Sequence, residues 1–172
     1  MDKKRLFFLV MLTLLVSPVL NAHAQKLGDE LLAGLTTLHL RVQYSDDSGV
    51  KSTGPEANQL LSDTERQLAD TGLKLVSNTE FERLVSSRGY PIGVLNLEVR
   101  TNKVNGIDSK IYYISLRLQQ VCYVARKPVL RFFAPTWDVT DAGLADDFDA
   151  VKKLVKESVG RFVSDYRSEN PK

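Results

Sequence analysis

The chain is poor in the residues that carry most protein chemistry. Its 172 residues hold two histidines and one cysteine. His23 falls in an N-terminal leader, which leaves His39 and Cys122 far apart in the remainder. Zinc sites need several Cys or His ligands at set spacings, and this pair does not supply them. A Ser-His-Asp hydrolase would have to use His39, and no G-x-S-x-G elbow is present to lift a serine out of a strand–helix turn. Gly-rich phosphate loops are missing as well. Asp46-Asp47-Ser48-Gly49 sets its acids side by side rather than alternating, and no glutamate stands at the twelfth position, so a polar turn fits better than a calcium loop. Paired carboxylates for glycoside chemistry are defined by their separation in a fold, and no pair stands out here. The expectation is a protein without metal, cofactor or catalytic set.

A single cysteine excludes an internal disulfide. Cys122 lies in QQVCYVA, in register with Ile114, Leu116 and Leu118, and reads as a buried, inert thiol rather than an intermolecular link. One-signed charge is lacking too: the chain has 23 basic and 21 acidic residues. Residues 1–24 carry three of the bases and one of the acids, so 20 of each remain after them. Nucleic acids and anionic membranes call for a clustered cationic face, and none is visible. Arg126-Lys127 and Lys152-Lys153 read as a solvated turn and a solvated helix face.

Long apolar runs are confined to the N-terminus. Lys3, Lys4 and Arg5 precede an apolar core from Leu6 to Val16, interrupted only by Thr13. Pro18 and Asn21 break the run, and Ala22-His23-Ala24 supplies the small-x-small pattern of a signal-peptidase site. These are the three parts of a secretory signal, and the run is short for a membrane span of about 20 residues. Cleavage after Ala24 is expected, giving a periplasmic or secreted protein without a stable membrane anchor. Residues 25–35 then form a short leader, and 36–170 a single domain, long enough to bury about 70% of its unfolded surface.

What is present is a legible alternation of strands and helices. Leu38, Leu40, Val42 and Tyr44 share one face of a half-buried strand, with His39, Arg41 and Gln43 on the other. Residues 45–54 read as a polar loop. Pro55 suits the first turn of a helix carrying Ala57, Leu60, Leu61, Thr64 and Leu68, with Gly72 as its left-handed cap. Leu73–Val76 gives a strand, and β-α-β in this order suggests a parallel crossover. A short helix over 77–89 is one of two readings of that segment. Leu95, Leu97 and Val99 mark the next strand, Asn105-Gly106 a turn, and 111–124 a long strand with Tyr112, Ile114, Leu116 and Leu118 inward. A strand at 129–134 and a helix at 144–166 follow. The helix carries Leu144, Phe148, Val151, Leu154, Val155, Val159, Phe162, Val163 and Tyr166 as its stripe, behind helix-start acids that the macrodipole favours. The fold class is α+β, a mixed, mostly antiparallel sheet ordered β-α-β-(α)-β-β-β-α, with helices on one face.

The candidate binding face is the sheet's outer side. Tyr113, Arg117, Gln119 and Tyr123 on the long strand, with Asn96, Glu98 and Arg100 on the strand before it, line one surface. Tyr and Arg are enriched at protein interfaces, although antiparallel sheets also tolerate a merely solvated face. Trp137, the only tryptophan, stands in FAPTWDVTDAG between a strand and the last helix. It reads as a plug beneath that helix, with Cys122, Phe162 and Tyr166 as further structural residues, rather than as a ligand reader.

The paired long strands LNLEVRTN and IYYISLRLQQVCYVAR, the APTWD stretch and the VGRFVSDYRSENP ending together resemble a group of small, exported, functionally uncharacterised bacterial proteins. At the level of element order the chain is also similar to the TolB N-terminal domain and LpoB-type activators of the cell envelope. The resemblance implies a bacterial periplasmic or secreted protein. It transfers no catalytic residues. Export, the missing catalytic set and the Tyr- and Arg-bearing sheet face lead to the expected function, a non-enzymatic envelope protein that binds another protein or an envelope component. The alternative is a small-molecule or lipid binder with a pocket between sheet and helices, lined by Tyr112, Phe133, Phe148 and Phe162. A hydrolase using His39 comes third. Partner identity, strand order and oligomeric state stay open at this level.

Overall fold

The computed structural model describes residues 31–51, 53–85, 92–106 and 108–171. The expected signal at residues 1–24 lies outside the described residues. The elements are β1 (Thr37–Asp46), β2 (Gly49–Lys51), α1 (Pro55–Leu68) with a 3-10 turn (Ala69–Thr71), β3 (Lys74–Leu75), α2 (Asn78–Val85), β4 (Ile92–Lys103), β5 (Lys110–Val124), β6 (Lys127–Ala145) and α3 (Phe148–Glu169). This is an α+β fold around one mixed, mostly antiparallel sheet of order β2-β1-β4-β5-β6, with β3 also beside β1. β1 runs parallel to β4 and to β3, so β1-α1-β3 is the parallel crossover its spacing suggests.

The inner face follows from period-two alternation. Leu38 and Tyr44 on β1, Leu95, Leu97 and Val99 on β4, and Tyr112 to Leu118 at every second residue of β5 are buried together. Helix α1 covers them with Leu60 and Leu68, and α3 with Val151, Val155, Val159 and Phe162. Each large side chain taken fully from water contributes about 1.5–3 kcal/mol, so this layer dominates stability. The helices are bounded as their ends require. Pro55 starts α1, Gly72 ends its 3-10 extension at φ +86°, and the Asp147 side chain accepts from the Ala150 N–H at 2.7 Å to cap α3. Gly93 permits a close approach, since a Cβ there would lie 2.7 Å from Leu118 Cδ1 and 3.2 Å from Leu35 Cδ1.

Several segments depart from the sequence reading. The loop expected at 45–54 turns back as β2, pairing Tyr44 with Lys51. The last strand continues to Ala145 rather than ending at 134, because Val139, Asp141, Gly143 and Ala145 alternate inward without an apolar pattern to announce it. Gly143 is small because the Tyr112 ring lies over it, with the hydroxyl 3.0 Å from a built Cβ. Helix α3 therefore starts at Phe148, and Leu144, expected in its stripe, is a strand residue on the outer side, 60% exposed. The two long helices share the inner face, whereas short α2 packs on the other face through Phe81 and Leu84 against Val94, Ile92 and Val76.

Two single-residue expectations are also corrected. Cys122 is only half-buried, because β5 at that point has run past the core that ends at Leu118 and Trp137. His39 is not on a solvated strand surface: it is buried beneath Phe81, whose ring stacks on it at 4.6 Å.

Candidate outer-face site

Strand pairing sorts the outer side into cross-strand rows. Arg41, Asn96, Arg117 and Asp138 stand in one row across β1, β4, β5 and β6. Gln43, Glu98, Ser115 and Thr140 form the next, and Ser45, Arg100, Tyr113 and Ala142 the one beyond. Between the first two rows lies an open groove of about 250 Å³, with Arg41, Gln43, Asn96, Ser115, Arg117 and Gln119 among its lining. Its lining is mostly polar, with Leu97 its one apolar member and Glu98 its one carboxylate, and so differs from the largely apolar pockets that hold small organic ligands.

The two arginines define the site. Arg41 holds its guanidinium over the Phe81 ring at 5.4 Å, so α2 props one wall of the groove. Arg117 points into the groove from β5. Among the described residues neither arginine forms a salt bridge, even though Asp138 is the cross-strand neighbour of Arg117. Asn96, between the two arginines in the strand order, donates its Nδ2 to Gln119 Oε1 at 3.1 Å, which joins the two amides to each other. Glu98 is already engaged, accepting from Arg100 Nε at 2.7 Å. The Arg100 guanidinium lies over Tyr113 at 5.7 Å.

Of the residues singled out from sequence, Asn96, Glu98, Arg117 and Gln119 therefore meet in the groove, while Arg100 and Tyr113 form a neighbouring stacked pair. Tyr123 does not join them; it lies beyond Gln119, where β5 pairs only with β6. Arg41 and Gln43 were missed as members of the site. Their outward position is readable from β1 alternation, but their neighbours depend on a parallel pairing of β1 with β4, which no local signal announces.

His39 is not among the residues that line this groove. Its Nδ1 donates to the Val76 carbonyl at 3.0 Å, and its Nε2 is buried without a partner. Among the described residues no group of three or more His, Cys, Asp or Glu gathers as a metal would require. No helix among them is long and apolar enough to cross a membrane.

Trp137 sits on the inner face, opposite Leu118, edge-on to Phe162 at 5.2 Å, and its indole N–H donates to Asp165 Oδ2 at 2.9 Å. Tyr166 donates to the Leu35 carbonyl at 3.0 Å. Burial pushes the Tyr166 hydroxyl pKa up from the ordinary tyrosine value. Burial, then the Asp141 carboxylate that its hydroxyl meets at 3.2 Å, does the same for Tyr112. The four aromatics expected to line one pocket do not converge. Tyr112 and Phe162 are buried in the core, Phe148 meets Tyr44 edge-on at 5.6 Å, and Phe133 lies on the outer side near Phe81 at 6.0 Å. A cleft of about 400 Å³ does run between α1 and α3, but lysines 152, 153 and 156, Arg66 and Asp63 form much of its rim.

No family model and no curated protein matches the chain. Solved structures share its outline at low identity. PelC from Paraburkholderia phytofirmans, a dodecamer, is similar at 14% identity and a TM-score of 0.43, over 77% of this chain and 88% of that one. A hypothetical protein from Chlamydia trachomatis is similar at 10% identity and 0.42, over 77% and 98%. The LpoB C-terminal domain from Salmonella enterica is similar at 14% identity and 0.35, over 69% and 93%.

Proposed function

We propose that this chain is an exported, non-catalytic binding module of the cell envelope, and that the outer face of its sheet takes an acidic side chain of a partner protein between Arg41 and Arg117. The observation that carries the reading is two guanidinium groups lining one polar groove, on strands either side of Asn96, with no carboxylate paired to either among the described residues. Guanidinium is the side chain best matched to a carboxylate, because its planar fork presents parallel donors. Neighbouring strands lie about 4.8 Å apart, so the two arginines start about 10 Å apart and can close on one anion over Asn96. Asn96 donates its amide to Gln119 Oε1 at 3.1 Å and to the Val94 carbonyl at 3.5 Å, which leaves the Gln119 Nε2 amide as the donor for the ligand's remaining oxygens. Each charge-assisted contact is worth roughly 1.5–3 kcal/mol once the partner excludes water. The reading as an envelope protein rests on the leader-like N-terminus.

A photo-crosslinking residue placed at Tyr113 in living cells tests this. The expected result is a discrete adduct that disappears in the R41Q/R117Q variant while the level of folded protein is unchanged. No adduct, or an adduct that persists in the double variant, overturns the proposal.

A further inference from the structure

The β5–β6 hairpin extends past the rest of the sheet. β4 pairing ends at Gln120, and from Val121 to Phe133 the two strands pair only with each other among the described residues. They are tied to α2 at their base by Arg131 Nη1, which donates to the Val85 carbonyl at 3.3 Å, and by Phe133 beside Phe81. The register passes from Tyr123↔Arg131 to Val124↔Lys127, so Pro128, Val129 and Leu130 bulge out without a partner. Proline at the start of the bulge costs no ladder bond. Large apolar side chains stand in solvent along this arm: Val129 is 75% exposed, Phe132 53%, Tyr123 50% and Leu130 49%.

The exposure is on both sides of the ribbon. Tyr123 and Arg131 share one row, Cys122 and Phe132 the next, so Phe132 and Tyr123 point to opposite faces. A second feature coincides with the first. From Ser109 to Trp137 the sequence has no aspartate or glutamate, and the arm itself carries Arg126 and Lys127 at its turn and Arg131 beside it. Read along the sequence, Arg126-Lys127 is only a solvated turn. Strand pairing joins it to a third cation and to a two-sided apolar tip.

We propose that this arm is a membrane-contact element that sets its tip into the headgroup region of an anionic phospholipid surface. A protein docked on one face of the ribbon would leave either Tyr123 or Phe132 in water, whereas a lipid interface surrounds the tip and covers both. Aromatic rings favour the headgroup level, and cations at the turn meet lipid phosphates. Each cation near such a surface strengthens binding about fivefold, an attraction that salt screens. Contact of this kind is peripheral and reversible. It uses a surface separate from the Arg41–Arg117 groove.

Flotation with phosphatidylcholine vesicles, with and without 30% phosphatidylglycerol, tests the arm on protein recovered from exporting cells, its N-terminus read by mass. The expected result is binding to the phosphatidylglycerol vesicles alone, falling steeply as salt rises. R126Q/K127Q is expected to weaken it about 30-fold, the product of two such charges. V129S/L130S/F132S is expected to abolish it with an unchanged melting temperature. No binding to the anionic vesicles, equal binding to neutral ones, or binding indifferent to both variants overturns the proposal. So does concentration-dependent self-association that the triple variant removes without any vesicle binding.

Discussion

The two halves of the β5–β6 hairpin are one continuous ribbon placed in two solvents. Over Tyr112–Leu118, the inward residues of β5 are sealed beneath α3, and on β6 Trp137 and Ala145 are buried with them. Over Val121–Phe133 the same two strands carry Phe132 and Tyr123 into water on opposite faces. The boundary is a bulge. Leu118 pairs with Trp137 and Gln119 with Pro135, which leaves Thr136 unmatched, its hydroxyl donating to Gln120 Oε1 at 2.7 Å. That one extra residue shifts the parity of β6, so Phe133 faces outward although its distance from Trp137 is even. Aromatic content therefore does not distinguish core from surface in this hairpin; position relative to the bulge does.

The contrast is broken most directly at Trp137. Replacing it with alanine empties the space beside Phe162 and leaves Asp165 without its indole donor. The expected loss is about 3–5 kcal/mol, read as a lower urea midpoint. A loss below about 1 kcal/mol would mean that the proximal half is not sealed and that the two halves do not differ. Next in size is Gly93→Val on β4. Its Cβ would press on Leu118 Cδ1, and overpacking of this kind costs about 1–3 kcal/mol. An unchanged midpoint would show that Leu118 has room to move and that packing at the boundary is loose.

Much of the proximal half is legible in the sequence because its signals are local. Alternation places Leu38, Leu95, Leu97 and Ile114 inward without reference to any other strand, and Pro55 and Gly72 bound α1 by their own backbone preferences. The remainder depends on pairing at a distance. β2 is three residues long, and residues 138–145 use Asp141 and Gly143 where a core strand usually shows apolar side chains. The groove is half legible for the same reason. Arg117, Asn96 and Gln119 follow from the two long neighbouring strands, whereas Arg41 joins them only because β1 inserts beside β4.

Tyr166 sharpens the contrast through pH. Its hydroxyl bond to the Leu35 carbonyl ties α3 to the chain just before β1, and Tyr166→Phe is expected to cost about 1 kcal/mol at neutral pH. The folded-state pKa is raised by burial, so the protonated hydroxyl is the form the fold prefers. Its stabilisation is complete below the unfolded value of about 10 and is lost as pH rises through the higher folded value. The difference in urea midpoint between wild type and Y166F is therefore expected to be largest at pH 7 and to shrink by pH 11. A difference that stays constant across that range would place Tyr166 in a wetter setting than its burial implies.

Phe132 carries the smallest expected effect and tests the distal half from the opposite direction. It is as large as the buried Phe162, yet it projects from a two-stranded ribbon with more than half of its surface in water, so it has little burial to lose. Phe132→Ser is expected to shift the urea midpoint by less than the equivalent of about 0.5 kcal/mol, the range for surface positions. β-propensity falls slightly in the same change, which sets the direction as weakly destabilising. Neighbouring Phe133 is a poorer choice, because its ring lies 6.0 Å from Phe81 and its loss would disturb α2. A cost of 2 kcal/mol or more at Phe132 would require that the isolated protein covers this ring, by folding another segment over it or by self-association. Repeating the measurement over a tenfold range of protein concentration separates those two cases, since only self-association makes the midpoint depend on concentration.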